Sequence, residues 1–191
     1  KAAATSAAPL IDPTLRRAMR NELRTMLRRF EVTALFVTHD QEDAFAIADR
    51  VALIERGRLL QTGTPETLYS RPVSASVAAF VGRGALIPAT IERGRAVMRV
   101  GGVAQSAPAE GVVSAGGSFL AVVRPETLAL AVRAAEGGWP GVVASRRFAG
   151  NHWVYRVTLA DGLELEAATA DGVRAEGDGV SVVVHPEPVA E

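Results

Sequence analysis

The sequence predicts an α/β segment over residues 1–82, followed by a mostly antiparallel β barrel or sandwich over residues 83–191. Three observations lead there. Before residue 82, helix-spaced apolar residues alternate with short unbroken apolar runs, the pattern of helices around a buried sheet. After it, Gly, Val and Ala dominate, and short strand-like runs are separated by regular turn signals. The chain is 48% hydrophobic over 191 residues, enough for a real core and too apolar for disorder.

Composition also excludes functions. Lys+Arg and Asp+Glu both number 21, so the neutral balance removes the main electrostatic argument for nucleic-acid binding. With no cysteine, a disulfide scaffold, a thiolate zinc site and a Cys nucleophile are all excluded. No apolar run is long enough to span a bilayer. The start has no initiating Met and no apolar signal core, and is expected to be an internal cut in something larger.

Each element has its reason. Asp12-Pro13-Thr14 opens a helix, with Asp12 as N-cap and Pro at the first helical position. Leu15, Met19, Leu23, Met26, Leu27 and Phe30 recur at helical spacing. Arg16, Arg17, Arg20, Arg24, Arg28 and Arg29 occupy the other face, either for an anionic partner or, the preferred reading, as a solvated face. Val32–Val37, apolar without alternation, predicts a strand buried on both faces. A helix over Gln41–Ala48 follows, with Glu42 and Asp43 placed to complement its dipole. Arg50–Glu55 and Arg58–Thr62 predict a hairpin turning at Arg56-Gly57, and short helices follow at Glu66–Tyr69 and Ser74–Val81.

Beyond Leu86 the runs Leu86–Arg93, Ala96–Val100, Ser118–Val123, Val142–Arg147, Trp153–Leu159, Leu163–Ala168 and Val180–His185 read as strands. Asp161-Gly162 and Gly101-Gly102 are hairpin turns. The run Val180–Val184 is aggregation-prone as a bare edge, so it is expected to be paired or covered.

His39 is the sharpest site candidate. It lies at the carboxyl end of an apolar run just before a helix, where open α/β sheets bind ligands. An imidazole there can donate to a phosphate oxygen or orient a water, or it can simply be held in a loop by backbone hydrogen bonds. His39, His152 and His185 are too far apart in sequence for a helical metal site. No Gly-rich phosphate loop occurs, and Lys1 is the only lysine. Trp139, Phe148, Trp153 and Tyr155 are either a stacking platform or, as preferred, a β-domain core, with Arg146-Arg147 beside Phe148 the local exception.

Leu35–Gly82 resembles the end of an ATP-binding-cassette (ABC) importer ATPase. The likeness rests on Thr38-His39-Asp40-Gln41, Asp49-Arg50-Val51, Gly57 through Gln61 to Gly63-Thr64-Pro65, Leu68-Tyr69-Ser70-Arg71-Pro72 and Phe80-Val81-Gly82. The second half resembles the OB-like regulatory module called TOBE, through Val122–Leu130 with its Arg-Pro-Glu element, Gly141–Thr169 and Gly177–Val189. The resemblance implies the end of a P-loop ATPase core followed by an OB-like barrel. It implies that His39 is the switch histidine contacting the γ-phosphate of ATP. Asp12 falls on the D-loop aspartate of the nucleotide-sandwich dimer, although Pro9-Leu10-Ile11 departs from the family pattern and Ser6 stands where the catalytic glutamate is expected.

The phosphate loop, Q-loop, signature motif and catalytic acid are absent, so the isolated chain is expected neither to bind ATP well nor to hydrolyse it. In the intact protein the resemblance implies ATP and Mg2+, a homodimer with a second ATPase subunit, permease subunits and, indirectly, a solute-binding protein. It implies a peripheral place on the cytoplasmic side of the bacterial inner membrane, in the branch that imports ferric iron, polyamines, sulfate or sugars, with ferric iron the favoured cargo. In this chain, apolar surface in residues 1–80 is expected to be met by another copy. The alternative is a stand-alone β module binding a small oxyanion or an oligonucleotide through Arg146, Arg147 and Trp153.

Overall fold

A computed structural model of the chain describes residues 12–115, 118–131 and 137–185. The predicted mostly antiparallel β architecture is present: every strand pairing among these residues is antiparallel.

Helix α1 (Pro13–Arg29) starts at Asp12, whose carboxylate accepts the Thr14 N–H at 3.0 Å. Helix α2 (Gln41–Ile47) packs against it. Strands β1 (Val51–Glu55) and β2 (Arg58–Gly63) form a hairpin whose turn residues Arg56 and Gly57 both take positive φ, matching the right-handed strand twist. Helix α3 (Pro65–Ser70) is capped by Thr64, and α4 (Ala75–Phe80) by Ser74. Leu53, Leu68, Val77 and Val81 form a small core among these elements.

Two five-stranded sheets follow. The first, in the order β5-β4-β3-β7-β6, comprises β3 (Ala85–Glu92), β4 (Arg95–Val100), β5 (Val103–Pro108), β6 (Val112–Ala115) and β7 (Ser118–Val123). The second, in the order β11-β10-β9-β12-β8, comprises β8 (Leu128–Ala131), β9 (Trp139–Phe148), β10 (Trp153–Leu159), β11 (Glu164–Thr169) and β12 (Gly179–Val184). Ile87, Met98 and Val123 from the first sheet share one core with Trp139, Tyr155 and Val182 from the second. Polar clasps tie the sheets. Trp139 Nε1 donates to the Val103 carbonyl at 3.1 Å, and the Gln105 amide bridges the Val182 carbonyl and Val184 N–H, both at 2.8 Å.

The Val180 run lies inside its sheet, between β9 and β8, so its expected protection is met by pairing on both sides. Both expected glycine turns form, with φ of 55° and 80° at Gly101 and Gly102 and 84° at Gly162.

The expected strand at Val32–Val37 does not form. Residues 32–38 adopt no regular element, and Leu35 and Val37 are 94% and 86% exposed. A strand is held by its neighbours' ladder hydrogen bonds, and among the described residues no strand lies beside this one. Phe80, at the end of α4, is half exposed. Strands β5, β6 and β8 escaped the sequence reading because their runs are short and broken by small or polar residues.

Candidate functional site

His39 occupies a bend braced on both sides. Thr38 Oγ1 accepts the Asp40 N–H at 3.0 Å. Asp40 is the N-cap of α2, its Oδ1 accepting the N–H of Glu42 at 2.8 Å and of Asp43 at 3.3 Å. The imidazole between them is exposed and has no hydrogen-bond partner among the described residues. Among the described residues, no backbone hydrogen bond to the imidazole holds it in the loop.

Part of the arginine face of α1 holds this bend, whereas Arg17 and Arg29 stay exposed with no ion-pair partner among the described residues, as the solvated reading expects. Arg16, Arg20, Arg24 and Arg28, spaced one helical turn apart, meet Asp40, Glu42, Asp43 and Asp49. Arg20 is the centre: its side chain is only 12% exposed and it contacts Asp40, Glu42 and Asp43. Arg24 also donates to the Ala46 carbonyl at 3.0 Å. The pairs span twenty residues or more, so no local pattern matches them. The clustered acids at 40–49 were the available signal.

With the arginines turned toward α2, the apolar side of α1 is left bare. Leu15, Met19 and Met26 are exposed, as are Val32, Leu35, Phe36 and Val37. His39 lines an open groove of about 610 Å³ with Met19, Leu23, Met26, Phe36 and Ile47. The cations of this groove, Arg16 and Arg20, are both engaged by Asp40. Such a wall offers no cradle for a triphosphate. Among the described residues no group of three or more His, Cys, Asp or Glu side chains is placed to hold a metal ion.

The Asp40 carboxyl is held below the usual aspartate range. The Asp43 N–H is the largest cause, the Glu42 N–H and the charges of Arg20 and Arg16 add to it, and desolvation opposes. A depressed folded-state pKa stabilises above the ordinary value of 3.8, and that stabilisation is lost as pH falls through the folded value. Acidification below about pH 4 is therefore expected to loosen the 38–43 bend. Asp40→Asn, which keeps a cap but abolishes this titration, should flatten the response in amide exchange at 42 and 43. Superimposable acid profiles for the two proteins would refute the assignment.

Asp12 caps α1, as the residue pattern predicted, and Ser6 and Pro9-Leu10-Ile11 lie outside the described residues. The aromatics divide. Trp139 and Tyr155 are fully buried core residues, whereas Phe148 is exposed and stacks at a tilt on Trp153, 5.3 Å between centroids. Arg146 lies 5.0 Å from the Trp153 ring but donates to the carbonyls of Gly172 and Arg174, both at 2.8 Å, so its guanidinium serves the fold.

The sequence reading also left Arg124 without a role. This buried residue, in the Arg-Pro-Glu element, donates to the carbonyls of Tyr69, Ala78, Gly82 and Arg83 at 3.0–3.3 Å. Its guanidinium also sits 4.1 Å from the Tyr69 ring centroid. Burial first, then the hydrogen bond to Glu126, keeps the Tyr69 hydroxyl protonated far above its ordinary range.

The Arg-Pro-Glu element falls within residues 121–190, which match the protein family described as the TOBE domain. Over 166 residues, 85% of this chain, it is 37% identical to the "Spermidine/putrescine import ATP-binding protein PotA 1" of Pseudomonas aeruginosa. Over 155 residues, 80% of the chain, it is 36% identical to the "Fe(3+) ions import ATP-binding protein FbpC" of Brucella abortus. The chain resembles the TOBE-bearing part of ABC importer ATP-binding subunits. It spans 45% and 43% of the length of these two curated relatives. The solved structure of the cytoplasmic molybdate-binding protein ModG, with molybdate bound, covers 56% of this chain and 91% of its own at 16% identity. Its TM-score is 0.40, too little shared geometry to carry an argument. No helix among the described residues is long and apolar enough to cross a membrane.

Proposed function

We propose that the chain is the carboxyl-terminal portion of the ATP-hydrolysing subunit of an ABC importer. In this reading residues 1–82 end the ATPase domain, and residues 83–191 form a TOBE-like regulatory domain. The separate small core at Leu53–Val81 and the larger core from Ile87 onward support that division. The observation that carries the functional reading is His39, an exposed imidazole with no partner among the described residues, on a bend braced by Thr38 and Asp40.

His39 donates a hydrogen bond to the γ-phosphate of ATP held by the other half of the subunit, and helps place the attacking water. Asp12, beyond capping α1, lies at the interface between two such subunits. ATP and Mg2+ are held by residues outside this chain, as the apolar wall of the groove supports. The bare faces of α1 and residues 32–37 are where the rest of the subunit packs, and in the isolated chain a second copy meets them. Two subunits close on ATP beneath permease subunits at the cytoplasmic face of a bacterial membrane, with a solute-binding protein delivering the cargo. The names of the relatives, one for polyamines and one for ferric ion, support a cationic cargo, for which this reading takes ferric ion.

Titrating ATP is the test. The 191-residue chain alone is expected to show no saturable binding up to about 1 mM. The intact subunit is expected to bind and hydrolyse ATP. Tight binding by the short chain overturns the reading.

A further inference from the structure

We propose that Gln41 and Arg124 are positioning residues for His39, acting through the carboxyl end of α4. The inference rests on the reading of His39 above and adds a route by which the β sheets influence it.

Two side chains grip the end of α4 from different elements. Gln41, the first residue of α2 and two positions after His39, donates its side-chain amide to the Val81 carbonyl. Val81 is the buried C-cap of α4. Within the same turn, Arg124 donates to the carbonyls of Ala78 at 3.3 Å, Gly82 at 3.2 Å and Arg83 at 3.1 Å. Carbonyls at a helix end lack intrahelical partners, so a multi-donor guanidinium is a strong claim on their position. Arg124 reaches them from the connection between β7 and β8. Its own place is set by Tyr69, whose carbonyl accepts from it and whose hydroxyl donates to Glu126 at 2.6 Å.

The local sequence leaves room for this clasp. At Gly82, with φ of 152°, a Cβ would lie 2.8 Å from Tyr69 Cε2. At Gly84 a Cβ would lie 3.0 Å from Arg124 Nη1. The route therefore runs from the Arg-Pro-Glu element to the end of α4, to Gln41, and to the bend carrying His39. A partner or ligand that shifts the β7–β8 connection moves the carbonyls on which Gln41 is anchored. Coupling of this kind is reciprocal.

Amide hydrogen exchange on the 191-residue chain without nucleotide tests the route. Arg124→Met is expected to speed exchange about tenfold in residues 40–48 as well as 78–83, leaving β9 and β10 unchanged. It should also shift the His39 Cε1–H resonance, which general loosening of the β core would not single out. Gln41→Met, which keeps the side-chain length at a half-buried site but removes the amide donor, is expected to speed exchange at 78–84 in return, and serves if Arg124→Met does not fold. Unchanged exchange in 40–48 and an unmoved His39 resonance overturn the proposal, as does a rise spread equally over β9 and β10. If only Gln41→Met folds, unchanged exchange at 78–84 overturns it. Because ATP is absent, this failure is separable from failure of the ATPase reading.

Discussion

Replacing His39 by alanine in the intact subunit is expected to lower ATP turnover by about 10²–10⁴-fold, the usual worth of a positioned proton-transfer or hydrogen-bonding group. The expectation separates chemistry from folding. The imidazole is exposed and unpartnered among the described residues, so its removal should change stability by no more than about 0.5 kcal/mol. The helix cap at Asp40 and the acceptor at Thr38 stay in place. The triphosphate is held elsewhere in the proposed subunit, so KM should move little while kcat falls. Phosphate release at saturating ATP, beside a thermal melt, distinguishes the cases. Unchanged turnover removes His39 from the mechanism, and a collapsed melt makes it a structural residue instead.

Trp139→Ala should have the largest effect on stability, about 3–5 kcal/mol, from the cavity left by a fully buried indole in the shared core of both sheets. The indole also donates to the Val103 carbonyl, the bond that ties β9 to β5 across the core. Trp139→Phe keeps most of the apolar volume but orphans that acceptor, at a cost of about 1–2 kcal/mol. The difference between the two variants, read from urea midpoints, separates packing from hydrogen bonding. Equal midpoints would mean that the ring volume is not what joins the sheets.

The features legible in the sequence were those with a local cause. Arg56-Gly57, Gly101-Gly102 and Asp161-Gly162 read as turns because a hairpin needs positive φ there, and each turn forms. Asp12 reads as a cap, and caps α1, because its short carboxylate can reach a free N–H two residues on. His39 stood out because its run ends at a helix start, and the structure places it exposed on a groove.

What failed depended on distant partners. Val32–Val37 has the composition of a buried strand, yet no strand pairs with it among the described residues. Arg20 reads as part of a solvated stripe, yet α2 and its cap set Asp40, Glu42 and Asp43 against it and cover it, while Arg16 and Arg28 stay exposed in their ion pairs. Arg124 looked like part of a short motif, and its four carbonyl partners come from residues more than forty positions earlier.

The sequence by itself determined where this chain turns, that Asp12 caps α1, and that its second half forms antiparallel strands. Those are short-range steric and hydrogen-bonding requirements that a few neighbouring residues satisfy or violate. Only the tertiary structure decided which face of α1 is covered, which apolar run goes unpaired, and that Arg124 and Gln41 meet at the end of α4. Burial and charge pairing depend on what stands opposite a residue, and a linear pattern does not carry that information.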